Sequence, residues 1–527
     1  MNSLTRILRP CTRIRIRSQR LFSENTTKTH SVVKTSLKEP LAGHQSPQCG
    51  DSFIEEKGTK ITTLPNGLRI ASQNKFGVQC ALGVIVDAGP RYEVNVKSGI
   101  SHYLEKLGFQ SSAMFADRNA VQAEMENCNA IFDCQISRDF IIYAVSGFNT
   151  HLDRLTRALS ETVLRAHITP EEVQMAERSI RFELEALQRG PPVEPIMIEL
   201  LHSAAFRANS TLGLPRYCPE ENLGKIDRDD LVKFVTTYYK PERVVIAGVG
   251  VDHDAFVRSV EKAFTPFKPA VASESAATDA PESDGSIAQY TGGYLKVERN
   301  LAQYHAPMPE FAHAALGFES CGYQDPQFVA ACLLHSFLGG GGSFSAGGPG
   351  KGMYTRLYVN VLNQHHWVNS AQAENHAYKD TGLFSIIGSS EPQHLDRLVH
   401  TLVTEVRRTA DTAIPAEELN RAKAQLKSML LMNLETRAVT FEDIARQVLT
   451  TGVRQEPDYW VDQIGKVTET DLRDLLHRML QSPPTLVGYG QVDRLPTCEE
   501  VAATLARPYS SDTHILNRIP RLFKRFV

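Results

Sequence analysis

The sequence predicts an α+β protein made of two copies of one α/β-sandwich unit of about 200 residues, joined by a linker. Three observations lead there. Residues 269–292 read PAVASESAATDAPESDGSIAQYTG, rich in Ala, Ser, Asp and Pro and poor in large apolar residues, which marks a linker. The chain repeats on either side of it. Lys225-Ile226-Asp227 leads a helical pattern through Leu231, then a Pro-bearing turn, an apolar strand and Val249-Gly250-Val251-Asp252. Lys466-Val467-Thr468 leads Leu472, and Gly490-Gln491-Val492-Asp493 follows; both anchors recur after 241 residues. Finally, Ala81-Leu82-Gly83-Val84 and Ala315-Leu316-Gly317-Phe318 each open an apolar strand that precedes a long helix.

Taken in order, residues 1–22 carry Arg6, Arg9, Arg13, Arg15, Arg17 and Arg20 with no acid before Glu24. With Leu and Ile interleaved, this is the composition of a mitochondrial transit peptide, and Arg20-Leu21-Phe22-Ser23 is similar to a matrix cleavage site. Removing those six charges takes the formal net charge from −3 to −9. An acidic mature chain favours basic partners and argues against nucleic acid, since no basic patch with aromatics follows. Residues 23–58 read as a flexible segment, 59–268 as the first domain, 269–292 as the linker and 293–527 as the second domain. No apolar run of about 18 residues suggests a membrane-spanning helix. The nine cysteines are scattered without a Cys-x-x-Cys pair, which points to reduced thiols rather than a zinc knuckle or disulfide scaffold.

Within the first domain, His102-Tyr103-Leu104-Glu105-Lys106 has the outline of the inverted zinc-peptidase motif His-x-x-Glu-His. Two His at i and i+4 share a helix face and bind zinc through lone pairs, while the Glu acts on metal-bound water. Lys106 stands where the second His belongs. An ammonium has three donors and no lone pair, and it repels a dication, so a chain with the look of a zinc peptidase is predicted to hold no metal and do no cleavage. The matching helix of the second domain, around Leu333-Leu334-His335-Ser336-Phe337-Leu338, has apolar spacing only.

That helix runs into Gly339-Gly340-Gly341-Gly342-Ser343-Phe344-Ser345-Ala346-Gly347-Gly348-Pro349-Gly350-Lys351-Gly352, of which eight of fourteen residues are Gly. A phosphate-binding P-loop would need Gly at 345 and Ser or Thr at 352. A passive linker fits poorly between a buried helix and the apolar Met353-Tyr354-Thr355-Arg356-Leu357-Tyr358. A mobile flap with bare backbone donors and acceptors, able to pair with an extended peptide, is the best physical reading. The adjacent His365 and His366 diverge on any regular element and read as structural. Glu374, Asp380 and Glu391 are candidate partners for arginines of a ligand, or a solvated face. Arg518, Arg521, Lys524 and Arg525 form a basic tail.

Together, Ser101-His102-Tyr103-Leu104-Glu105-Lys106-Leu107, Asp133-Cys134-Gln135-Ile136-Ser137-Arg138-Asp139, Phe182-Glu183-Leu184-Glu185 and the glycine run through Tyr358 make the chain resemble the non-catalytic α subunits of mitochondrial processing peptidases, a branch of the M16 (pitrilysin-type) family. The resemblance covers about residue 60 to the end. It implies two homologous domains forming half of a clam-like chamber, completed by a β subunit that holds the zinc; this chain itself would carry no cofactor. It implies that the glycine run, with Glu374 and Asp380, binds basic presequences of imported proteins in the mitochondrial matrix. It also implies that Glu185 stands in the place of the third zinc ligand, with Glu183 as the register alternative and either more suited to pair with Lys106. A structural core subunit of the cytochrome bc1 complex, with respiratory complex III subunits or the inner-membrane surface as contacts, is the rival class.

Overall fold

The structure, a computed structural model, describes residues 58–189, 192–208, 210–271, 283–300, 310–342 and 353–509. The transit-peptide reading, nearly all of 23–58, the middle of the linker, residues 343–352 and the basic tail lie outside the described residues.

The first half runs β1 (Lys60–Thr63), β2 (Arg69–Gln73), β3 (Gln79–Val86), α1 (Ile100–Lys106), α2 (Arg118–Asn127), β4 (Ile131–Ile136), β5 (Ile141–Phe148), α3 (Leu152–Leu164), α4 (Pro170–Arg189), α5 (Glu194–Ala205), α6 (Arg228–Tyr238), β6 (Val244–Val249) and α7 (His253–Phe264). The second runs β7 (Gly293–Glu298), β8 (Ala312–Ser320), α8 (Phe328–Leu338), β9 (Gly340–Gly342), β10 (Val368–Ala377), β11 (Gly382–Ser390), α9 (Leu395–Asp411), α10 (Ala416–Asn433), α11 (Arg437–Thr451), α12 (Pro457–Lys466), α13 (Glu469–Met479), β12 (Thr485–Gly490) and α14 (Cys498–Leu505).

Two mixed sheets result, in the orders β1-β2-β6-β3-β5-β4 and β7-β12-β8-β11-β10-β9. Setting β1 and β9 aside, the orders coincide, and so do directions: β2 pairs parallel with β6, β7 parallel with β12, and the other neighbours are antiparallel. The duplication also repeats in local chemistry. Asp227 caps α6 in a reciprocal box with Asp230, and Thr468 caps α13 in the same box with Asp471.

Two details of the repeat shift. Gly248 faces Leu82 across the ladder and Gly488 faces Ala314, so Val84 matches Leu316 and the Ala-Leu-Gly echo is two residues out of register. Gly250, just after β6, and Gly490, the last residue of β12, both have positive φ, and the extra residue before Asp493 is Gln491. Asp252 therefore caps α7 directly, whereas Thr497 does this for α14.

Central strands are buried on both faces; every residue of β3 after Gln79 is buried. One face of each sheet packs on helices of its own half, through Leu82, Val84, Tyr103, Ile180 and Phe256 in the first and Leu316, Phe337, Leu402 and Leu475 in the second. The opposite faces are covered by exchange. Helix α11, from the second half, lays Phe441, Ile444, Ala445 and Val448 on Ala81, Ile85, Val245 and Ala247 of the first sheet. Helix α5, from the first half, lays Met197, Leu201 and Ala205 on Ala315, Leu383, Val487 and Tyr489 of the second. Gly83 permits this approach, since a Cβ there would collide with the Phe441 ring.

Polar contacts fasten the same exchange. Arg91 of the first half reaches Asp139 at 2.7 Å and, through both terminal nitrogens, Asp380 of the second half at 3.2 and 2.7 Å. Arg454, with its side chain buried, donates to Thr59 and Gln73 of the first half and to Asp443 and Glu456 of its own.

Candidate functional site

The broken motif lies on α1, a helix of only seven residues whose ends are held by other parts of the chain. Gly99 enters it at φ +107, a conformation that favours glycine. The buried Glu93 carboxyl accepts the Gly99 and Ser101 N–H groups, each at 2.6 Å, and so satisfies two free amides of the first turn. Burial pushes Glu93 up to about 7 while those two bonds pull the other way.

His102 is fully buried. The Cys218 N–H donates to its Nδ1 at 3.2 Å, which assigns the ring proton to Nε2, 3.3 Å from Glu183 Oε2. The Lys106 ammonium lies 2.6 Å from that same Glu183 oxygen and 2.9 Å from Glu105 Oε1. Burial alone would lower the Lys106 pKa, but the two carboxylates override it and raise it. Glu183 is drawn down to about 2 by the His102 hydrogen bond and by Lys106; at 2.6 against 3.3 Å, Lys106 is the closer partner.

Glu185 does not take the third-ligand place. Two residues along a helix turn a side chain roughly 200° away, and Glu185 pairs with Arg189 at 3.1 Å near solvent. Glu183, the register alternative, is the carboxylate that α4 presents to the motif. These residues do not fit zinc: His102 turns a proton toward Glu183, Lys106 supplies a cation, and Glu185 faces elsewhere. Among the described residues no three His, Cys, Asp or Glu groups are arranged to hold a metal ion.

Beside Lys106 opens a groove of about 570 Å³, lined among others by Glu105, Phe109, Phe132, Asp133 and Met175. One wall is β4, an edge strand of the first sheet, where Ile131 is 75% exposed.

The start of the glycine run is an ordered strand. Gly339 ends α8 at φ +54, and a Cβ there would meet the Thr355 side chain. Gly340, Gly341 and Gly342 pair antiparallel with Gln372, Ala371 and Ser370 of β10. Gly340 sits at φ +98 with no room for a Cβ beside the Ala371 carbonyl, and its N–H donates to Thr355 Oγ1 at 3.1 Å. Thr355, which follows the run in sequence, thus holds its start at Gly340. Arg356 next to it is anchored by Glu418 and Thr409 and lies over the Phe337 ring. Residues Ser343, Phe344, Ser345, Ala346, Gly347, Gly348, Pro349, Gly350, Lys351 and Gly352 fall outside the described set.

The two candidate acids part company. Glu374 lies on β10 beside the loop base, partly buried, with Gln372 donating to it; burial raises its carboxyl and Glu194 of α5 adds to the effect. Glu194 is an acid that spacing alone could not reveal, because it is brought in by the helix exchange. Asp380 is not a free acid: Arg91 and the Ala288 N–H occupy its oxygens. It belongs to the junction of the halves. Glu391 is exposed and takes a hydrogen bond from Gln393. His365 stacks at a tilt on Trp367, and His366 is exposed.

Comparison with known proteins agrees with this architecture. The profile of the insulinase family of peptidases (M16) matches residues 69–220, and that of the peptidase M16 inactive domain matches 225–426. The chain is 43% identical over 494 residues to the mitochondrial-processing peptidase subunit alpha of Bos taurus, covering 93% of this chain and 92% of the relative. The corresponding subunit of Homo sapiens is 42% identical over the same shares. That of Caenorhabditis elegans is 38% identical over 86% of this chain and 88% of its own. The chain therefore belongs to the M16 peptidase family and groups there with the alpha subunits of mitochondrial-processing peptidases.

Proposed function

We propose that this chain is a non-catalytic, substrate-recognising subunit of a mitochondrial processing peptidase. It holds the basic presequence of an imported precursor in extended form and presents it to a zinc-bearing β partner in the matrix. The observation that carries the reading is Lys106, whose ammonium sits on Glu105 and Glu183 where a peptidase of this family would need a metal ligand. Its complement is the glycine run, whose first residues are held by Thr355 and β10; bare glycine backbone can pair with a peptide of any sequence. Glu374 and Glu194 give the loop base the sign of charge that arginines seek. No helix among the described residues is long and apolar enough to cross a membrane.

Purification of the native complex and identification of every subunit tests this directly. A heterodimer of this chain with a zinc-bearing homologue is expected. Co-migration with cytochromes of the bc1 complex alone, without processing activity, would replace the reading with that of a respiratory core subunit.

A further inference from the structure

We propose that the Lys106 ammonium is a built-in cation that does the structural work of a metal ion, clamping α1 to α4. This rests on the reading of the chain as non-catalytic and deepens it. In isolation a seven-residue helix is far below the length that is stable in water, so α1 depends on what holds it. Glu93 holds its first turn, and the Cys218 N–H fixes the His102 ring. The last turn is held by Lys106, which bridges Glu105 of its own helix to Glu183 of α4.

The arrangement differs from an ordinary surface ion pair. A single Glu183 oxygen takes both the Lys106 ammonium and the His102 N–H. Side-chain exposures of 21% for Lys106, 15% for Glu105 and 33% for Glu183 leave the group only partly hydrated. Two carboxylates converge from separate helices, and the ammonium lies between them. Remove it and the like charges face each other in a site of reduced dielectric, a situation that proteins otherwise resolve with a proton or a metal ion. The residue that cannot ligate a metal thus supplies the positive charge that a metal would bring.

The test is a thermal comparison of the full mature chain, purified with whatever subunit accompanies it. Lys106→Met, which keeps length and removes charge, is expected to lower Tm by several degrees. Lys106→Arg should keep most of the stability. Adding Glu183→Gln to Lys106→Met should recover part of the loss by relieving the repulsion. Wild-type Tm in Lys106→Met, or a double variant that melts no higher than the single one, would overturn the clamp. So would about one zinc per wild-type chain that disappears in His102→Ala. Cleavage of precursors by this chain alone would instead sink the functional reading.

Discussion

Replacing Arg91 by Met should show that Asp380 is a structural acid. The Arg91 side chain is 4% exposed, and it neutralises Asp139 at 8% and Asp380 at 19%. Even with that guanidinium present, burial keeps Asp139 raised, whereas the more accessible Asp380 is lowered by its double contact. Removing one partner of a buried ion pair leaves uncompensated charge and costs about 3–5 kcal/mol. Asp380 can recover some hydration, so the lower end, about 3 kcal/mol, applies. With an unfolding entropy of about 2.1 cal/mol/K per residue over the roughly 420 described residues, that loss is a Tm shift of about 3 °C. Thermal scans of Arg91→Met, Asp380→Asn and the double variant at neutral pH provide the assay. The singles should be non-additive, because the second change removes a charge that the first has stranded. Presequence affinity should stay at the wild-type level in Asp380→Asn. An Asp380→Asn chain of normal stability with weakened presequence binding would refute this reasoning and return Asp380 to the substrate.

Further outcomes are expected. Deleting residues 341–350 should weaken precursor binding and processing while the heterodimer still forms, checked by co-purification and a binding titration. Presequence affinity should fall as salt rises, and Glu374→Gln with Glu194→Gln should cost a few-fold, since exposed pairs contribute about 0.2–1 kcal/mol each; salt-independent binding would show these acids to be plain surface. For pH, the depressed Glu183 carboxyl stabilises the fold above its unfolded pKa, and this contribution is lost as pH falls from about 4.5 to about 2. Glu183→Gln should therefore flatten that part of the Tm-against-pH profile. Residues 59–268 and 293–527 expressed separately should be insoluble or molten, because each would expose the sheet face that the other's helix covers.

Much of this molecule was legible in short stretches of chain. The helix starts at Asp227 and Thr468, the apolar strands around Leu82 and Leu316, and the Lys at position 106 are local features that spacing reveals. The duplication followed from those repeats, and the expectation that no metal is held followed from the lone pair that Lys106 lacks. What spacing could not decide were contacts between residues far apart in sequence. The sequence put Glu185 in the third-ligand place with Glu183 as the register alternative, and the packing of α4 against α1 brings Glu183, not Glu185, to the motif. Asp380 reads as a free surface acid until the second half brings it to Arg91, 289 residues away. The exchange of α5 and α11 is likewise invisible in a hydrophobic pattern, because an apolar stripe states that a face is buried and not which sheet buries it.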